Sequence, residues 1–424
     1  MYLVPIQVPI YLEGDRKLVT TEWHRSLLLL RDSFAGRFGD VGVAAPSLPA
    51  RSAAAAEQAL VAVPENADGL KLFPSFDKRC RARGFWLRER ARWQADLASL
   101  MDRADVVHAG VDDVYRPITF EGFRMGLRHG KPTVFVQDTD NVVQQRELVA
   151  DGGPALRAKV GAYNWFYERM CRWGVARADL SLLKGSAVMR RYGPYAKNAK
   201  EFHDTSYSIH DVVSEEELER RLGGLSEQRP LRLVYCGRLT ARKGVDRSLK
   251  ILAKAIGQGA AIEFDIIGDG AERIKLETIV KSEGLEKSVR FIGSLPYGSM
   301  LLKRLSQYDG LLFTPTAEDT PRMIFDGYAA GLPLVAFDIG YVRERVEQEH
   351  ATFLLPRDQI EESGVCLSGL WRNRGRLAGL SRSARVAAQY HAAENWYRRR
   401  AEWTIEAVEQ HGRAKRGASV GKAA

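Results

Sequence analysis

From Leu231 onward the chain alternates short, continuously apolar runs with helical stretches. Leu231–Cys236, Ile262–Ile267, Val289–Ile292, Gly310–Phe313 and Leu334–Phe337 each read as a buried strand. Segments such as Arg247–Ile256 between them read as helix. Strands apolar on both faces need cover on both faces, and the linking helices supply it, so the pattern predicts a parallel sheet inside an α/β domain. The N-terminal half repeats the theme less cleanly. Tyr2–Tyr11 reads as a first buried strand, Gly14 and Asp15 as a loop, and Thr21–Phe38 as a helix. Val41–Ala45, Asp105–His108, Pro132–Val136 and Ala178–Leu183 are further strands, the last after a helix over about 155–177. Residues 46–75 are Ala/Pro-rich and poorly periodic.

A length of 424 residues suits two or three domains. The stretch 214–230, SEEELERRLGGLSEQRP, turns charged, then Gly-rich, then ends at Pro230, which predicts a short helix and a linker. The expected division is an N-terminal domain over 1–213, the linker 214–230, a C-terminal domain over 231–386, a terminal helix over 387–411, and a disordered basic tail over 412–424. The four cysteines, Cys80, Cys171, Cys236 and Cys366, lie far apart with no C-x-x-C spacing. They imply neither a zinc site nor a disulfide framework, and they fit a reducing compartment. No apolar run approaches the ~18 residues of a membrane span. Met1–Leu12 lacks a basic n-region and a cleavage site, so it reads as a strand and not a signal peptide. The expected location is cytoplasmic, with peripheral association on the inner membrane face. The net charge of +10 suits phosphorylated ligands, anionic membrane or nucleic acid. Its basic residues are scattered and no groove-binding or stacking motif accompanies them, so no nucleic-acid partner is expected.

Two segments carry chemistry. Cys236-Gly-Arg-Leu-Thr-Ala-Arg-Lys-Gly244 follows a strand and precedes a helix. Glycine there lets backbone approach a ligand, and Arg238 and Lys243 bring two positive charges to one loop. A departing diphosphate needs such charges as its bond breaks. The alternative is an ordinary βα loop with two surface cations. The second segment runs Thr316-Ala-Glu318-Asp-Thr320-Pro321 through Asp326 to Gly331-Leu-Pro-Leu-Val335. Thr320 suits an N-cap and Pro321 the first helical position, so a helix and its anion-binding N-terminus are expected there. Glu318 then sits just before the helix and Asp326 about one and a half turns inside it. One carboxylate is placed to reach a sugar and the other a ribose, unless this is a capped helix carrying two unrelated acids.

On these residues the sequence resembles the retaining GT-B glycosyltransferases of the family 4 type, the glycosyl transferases group 1. Their signature pairs two glutamates eight positions apart in a stretch like E-G-x-P-x-x-x-x-E-A-x-A-x-G-x-P-V. Glu318, Pro321, Asp326, Gly331, Pro333 and Val335 match it, Gly237, Arg238, Lys243 and Gly244 match the G-R-L…K-G segment, and Gly268-Asp-Gly270 and Val289–Gly293 follow in order. The likeness is specific over about 231–345. It implies an α/β GT-B fold, two Rossmann-like domains with a cleft between them, and sugar transfer from a nucleotide-diphosphate sugar without a metal or other cofactor. It further implies that Glu318, Arg238 and Lys243 act catalytically on the donor sugar and diphosphate, and that Asp326 holds the ribose. Gly237, Thr320, Pro321 and Gly14 would line the donor, with Gly293, Ser294 and Leu295 near the base. Four departures stand out: Asp326 is one methylene shorter than Glu, Asp319 replaces Gly, Gln137 stands where His is usual, and only Gly14 follows the first strand.

The expected function is retaining transfer of a sugar from a UDP- or GDP-sugar to a lipid-linked or saccharide acceptor in cell-surface polysaccharide synthesis. Two rivals are a GT-B protein that binds the nucleotide sugar without transferring it and, more distantly, a nucleic-acid-binding protein. Gln137, Asp138 and His108 are the acceptor-side candidates. Asp138-Thr-Asp140 is a D-x-D, but no metal role is assigned to it, and His108 reads equally as a structural histidine. Lys78–Met101 is basic, and Trp86, Trp93, Leu97 and Leu100 recur at helical spacing, the pattern of a helix lying on an anionic membrane. Tyr163–Trp173 is aromatic-rich and reads as core packing.

Overall fold

In the computed structural model every residue is described except 53, 54, 56–58, 66–68, 150, 151, 227, 317–320 and 421–424. The chain forms two compact units, Met1–His203 together with the chain from Tyr397 on, and Asp204–Trp396.

In the first unit the strands are β1 (Tyr2–Pro5), β2 (Ile10–Glu13), β3 (Arg16–Thr20), β4 (Val41–Pro49), β5 (Leu60–Val63), β6 (Leu70–Asp77), β7 (Val106–Gly110), β8 (Thr133–Gln137), β9 (Leu180–Lys184) and β10 (Ala199–Phe202). Among the described residues they form one sheet in the order β10-β9-β8-β7-β1-β4-β2-β3-β5, with β6 also on β4. Its helices are α1 (Thr21–Ser33), α2 (Arg90–Met101), α3 (Ile118–Arg128), α4 (Asn141–Leu148), α5 (Pro154–Val175) and α6 (Gly185–Tyr192). The expected single strand Tyr2–Tyr11 is two strands. Tyr2–Pro5 pairs in parallel with β4 and Tyr2–Leu3 with β7, while Tyr11–Glu13 folds back antiparallel on Arg16–Leu18. The Ala/Pro-rich region supplies β5 and β6, which alternation did not reveal.

The second unit holds α7 (Glu215–Gly223), β11 (Leu231–Cys236), α8 (Val245–Gly257), β12 (Ile262–Ile267), α9 (Arg273–Ser282), β13 (Val289–Gly293), α10 (Ser299–Leu305), β14 (Gly310–Phe313), α11 (Met323–Ala329), β15 (Leu334–Phe337), α12 (Gly340–Glu349), β16 (Thr352–Leu355), α13 (Ile360–Arg372) and α14 (Arg374–His391). All pairings in its six-stranded sheet are parallel, in the order β13-β12-β11-β14-β15-β16. α8 shows why the sheet is covered: Val245, Leu249, Ile251, Leu252 and Ala255 share one face and are all buried. Strand order runs outward one way from β11 and then, from β14, the other way. The pair β11/β14 is therefore the topological switch point, beyond whose carboxyl ends ligands bind in such sheets.

Three boundaries differ from expectation. The stretch 214–230 contains α7, capped by the Ser214 side chain accepting from the Glu217 N–H at 3.1 Å and burying Leu218 and Leu222, so it belongs to the second unit. The terminal helix begins earlier, as α14, and restarts after Ala392 as α15 (Ala393–Val420). That helix runs through 412–420, which had read as disordered, and 421–424 lie outside the described residues. No helix among the described residues is long and apolar enough to cross a membrane.

Candidate functional site

At the carboxyl ends of β11, β12, β13 and β14 the connecting loops are tied to one another. The Gly237 N–H donates to Ile267 O (2.9 Å), Leu239 N–H to Asp269 O (2.9 Å) and Gly268 N–H to Gly293 O (2.8 Å). Gly268 has φ +136°, and a Cβ there would lie 1.9 Å from Gly237 O. Glycine is required because two backbones touch. Across the switch point Gly244, at φ +65°, faces Thr314, where a Cβ would lie 1.9 Å from Thr314 O. The Thr314 hydroxyl donates to Gly244 O (2.8 Å), and Thr316 N–H donates to Arg242 O (3.0 Å). The loops 237–244 and 314–316 thus form one continuous floor.

Arg238 and Lys243 sit on that floor. Arg238 is exposed, its carbonyl accepting from the Tyr235 hydroxyl at 3.0 Å, and Lys243 ends a 3₁₀ turn over Ala241–Lys243. Glu318 and Thr320 lie outside the described residues. Pro321 precedes α11, which begins at Met323 with Arg322 as its N-cap, so the described helix starts later than the expected Thr320 cap. Met323 closes back on the first loop: a Cβ on Gly237 would lie 3.6 Å from its sulfur.

Asp326, on α11, is buried, and its carboxyl Oδ1 accepts the Tyr297 hydroxyl at 3.1 Å. Burial raises its pKa to about 6, against the opposing effects of the Arg322 charge and the Tyr297 hydrogen bond. Burial, with the Asp326 charge second, pushes the Cys236 thiol up to about 12, which locates Asp326 beside the end of β11. Arg322 stacks on the Tyr297 ring, 5.1 Å from its centroid. Gly293 turns at φ +83°, and Ser294 and Leu295 beyond it are exposed. Gly237, Arg238, Lys243, Gly293, Pro321 and Asp326 are therefore brought to one end of one sheet. Tyr297 and Arg322 join them without any sequence signal, being a lone Tyr and a lone Arg.

The candidates of the first unit fare differently. Gly14, at φ +59°, lies in the two-residue turn joining β2 to β3, a hairpin and not a strand-to-helix loop. Gln137 is buried, its amide donating to Tyr167 Oη (2.7 Å) and Thr139 O (2.9 Å) and its carbonyl accepting from the Cys171 thiol (3.4 Å). It holds the end of β8 to α5 and does not face outward. Asp138 is exposed beside it. Asp140 is paired with Arg191 at 2.8 Å and accepts from Val143 N–H (3.2 Å) at the start of α4, which accounts for the D-x-D structurally. His108 keeps part of its surface exposed, and its Nδ1 hydrogen-bonds the buried Tyr2 hydroxyl. Desolvation first and the Arg400 charge second lower its pKa to about 3, so it is neutral at physiological pH.

The basic aromatic segments also depart from expectation. Lys78–Met101 is a strand-end turn, a π-helical segment Phe85–Glu89 and then α2. Trp93, Leu97 and Leu100 are buried in the unit's own core with Phe76, Phe85 and Val107. Trp86 and Leu87 stay exposed, as do Trp165 and Phe166 of α5, where core packing was expected.

The parallel sheet of the second unit and the mixed, mostly parallel sheet of the first have the α/β architecture of the GT-B class. Anabaena HepE in complex with UDP matches with a TM-score of 0.61 and 16% identity over 96% of this chain and all of that one. WaaG, a glycosyltransferase involved in lipopolysaccharide biosynthesis, matches with a TM-score of 0.60 and 15% identity over 95% and 99%. At such identities these likenesses carry the fold. Residues 230–373 match the sequence model of the glycosyl transferases group 1. An alpha-D-kanosaminyltransferase of Streptomyces kanamyceticus is 26% identical over 163 residues, 37% of this chain and 42% of the relative. The aligned region thus spans less than half of that relative's length.

Proposed function

We propose that this chain transfers a sugar from a nucleotide-diphosphate sugar to a saccharide acceptor, with the donor at the switch point of the second unit. The observation that carries this reading is the glycine-built floor at the ends of β11 and β14, which holds Arg238 and Lys243 on one side and leads to Asp326 on the other. Backbone at a glycine turn admits a diphosphate closely, two cations stabilise the charge that grows on it, and a buried carboxylate suits a ribose diol. The group 1 match over 230–373 supports the same reaction class. HepE was solved with UDP and with UDP-glucose, which favours a UDP-sugar over the GDP alternative.

Retention of configuration, a lipid-linked acceptor and metal independence are part of this proposal. Arg238 and Lys243 supply the positive charge for which a metal ion would otherwise be needed. The proposed location is the cytoplasm, at an anionic membrane surface. The contact proposed for that surface is α5 with Trp86 and Leu87 beside it, in place of the buried face of Lys78–Met101.

A thermal-shift screen with UDP-, GDP- and ADP-sugars, followed by a transfer and donor-hydrolysis assay, tests the reading. A ligand at a hundredfold excess over Kd stabilises by roughly 2.7 kcal/mol, a readily measured rise in Tm. Turnover should survive EDTA. Binding without transfer or hydrolysis would leave a nucleotide-sugar-binding protein, and no shift with any donor would overturn the proposal.

A further inference from the structure

We propose that Tyr297 is a specificity-determining residue of the donor site: its hydroxyl orients the Asp326 carboxylate and, with it, reads the ribose diol of the nucleotide. The inference rests on the nucleotide-sugar reading above.

The geometry is local to the second unit. Tyr297 lies just beyond β13, on the loop that follows Gly293, and Asp326 lies on α11, on the far side of the switch point. Their side chains meet at 3.1 Å, the Tyr297 hydroxyl donating to Asp326 Oδ1. Arg322, one turn before Asp326, lies over the Tyr297 ring at 5.1 Å, so the phenol is held from a second direction by the same segment. A tyrosine hydroxyl donates one hydrogen bond and accepts others. With its proton given to Oδ1, its oxygen can accept from one ribose hydroxyl while Oδ2 of Asp326 accepts from the neighbouring one. An aspartate alone is one methylene shorter than the glutamate of the group's signature. The phenol extends the hydrogen-bonding edge where the carboxylate falls short.

The pair also sets the charge. Asp326 titrates at about 6, and Tyr297 and Arg322 both favour its ionised form. The other titratable groups facing it are Cys236, whose thiol burial pushes up to about 12, and Tyr207, which burial and then the Asp326 charge raise well above its usual range. Between pH 5 and 8 Asp326 is therefore the member of this group that changes charge. A ribose diol donates to a carboxylate, so binding is strongest with Asp326 ionised and weakens as pH falls through about 6. Removing the Tyr297 hydroxyl removes a donor to the ionised form and moves that midpoint upward.

Isothermal titration calorimetry on the full chain with UDP, GDP and 2′-deoxy-UDP at fixed pH, and with UDP-glucose from pH 5 to 8 because its diphosphate diester does not titrate in that range, tests this. Tyr297→Phe keeps the ring and its stacking. It should weaken the preferred ribonucleotide by about tenfold, the worth of one hydrogen bond to a charged group. It should also raise the pH midpoint and narrow the preference for UDP over 2′-deoxy-UDP. Unchanged affinity and an unchanged midpoint in Tyr297→Phe would overturn the role of Tyr297 while leaving the donor site intact. A wild-type chain that binds neither UDP nor GDP would overturn the reading beneath it. Asp326→Asn, which keeps an oxygen acceptor for Tyr297, should lose the pH dependence. If it retains that dependence, the titrating group is another and the proposal fails.

Discussion

In an unstructured chain the Asp326 carboxyl ionises near 3.8, and in this fold it does so at about 6 because burial disfavours its charge. A folded-state pKa above the unfolded one means that the fold binds the proton more tightly. Stability is therefore full below pH 3.8, falls as pH rises towards 6, and stays reduced above it. A rise from 3.8 to about 6 corresponds to roughly 3 kcal/mol at neutral pH. Asp326→Asn should accordingly raise Tm at pH 7.5 and change it little at pH 4, while donor binding weakens but remains measurable. A lower Tm at pH 7.5 would show that the carboxylate is stabilised by its surroundings and not strained by them. Arg238, exposed on the loop after β11, calls for the opposite outcome. Arg238→Ala would remove the charge contact proposed to the departing diphosphate, so Tm should stay put while turnover drops by roughly 10²–10³. Glu318→Ala is expected to cost turnover on a similar scale. Near wild-type rates with a verified donor, in either variant, would unseat that residue from the site.

Gly244 and Gly257 stand at opposite ends of α8 and invite opposite results. At Gly244 the backbone is left-handed and a Cβ would lie 1.9 Å from Thr314 O, so Gly244→Ala must push apart the two loops that make the floor. A loss of more than about 2 kcal/mol is expected, from backbone strain and steric clash together. At Gly257 an added Cβ meets nothing within 4 Å, so Gly257→Ala should be neutral or gain up to about 1 kcal/mol. Urea titrations of the two variants check both signs, and a well-tolerated Gly244→Ala would refute the close approach. The same contrast explains what the sequence reveals. β11, β12, β14 and β15 are legible because strands buried on both faces must be continuously apolar. β16 (Thr352–Leu355) escaped notice because it opens on a polar Thr352 and is preceded by a left-handed His350 and not by glycine. The hairpin β2–β3 escaped because Glu13, Arg16 and Lys17 are polar at a partly exposed sheet margin, and Gly14 was consequently assigned to the wrong kind of loop. At the site, Arg238, Lys243 and Asp326 were legible because glycine spacing and a paired-acid pattern are local signals. Tyr297 was not, since its partner is twenty-nine positions away in sequence. The burial of Gln137, an acceptor-side candidate, was not legible because nothing local to it announces Tyr167 and Cys171.

Across the whole molecule the net charge is +10, and its distribution matters more than its size. The first two turns of α5 are exposed all round, and from Gly152 to Tyr167 the sequence has Arg157 and Lys159 but no acidic residue. Trp165 is 57% exposed, Phe166 53% and Leu87 70%. The π-helical segment is linked to α5, because the Trp86 ring nitrogen donates to Tyr115 O (2.8 Å) and the Tyr115 ring lies against Tyr163 of α5, with centroids 5.4 Å apart. Large exposed aromatics together with cations are the composition of a helix that rests in a lipid headgroup region. Each cation near an anionic leaflet contributes about 1 kcal/mol, and this attraction falls off within a Debye length. Co-sedimentation with anionic vesicles should therefore be weak, reversible and reduced by salt. Replacing Trp165 and Phe166 by Ser, or Arg157 and Lys159 by Glu, should each lower it several-fold, with little change on neutral vesicles. Arg88 and Arg92 are exposed and follow Trp86 in the chain, so their reversal to Glu should weaken binding less. Arg90 is unsuited to the test, since it pairs with the buried Glu121 at 2.8 Å and its reversal would break the unit's interior. If the α5 variants sediment like wild type, the exposed aromatics serve another partner. If only the Arg88 and Arg92 reversal matters, the contact returns to the π-helical segment, where Trp86 and Leu87 alone would carry it.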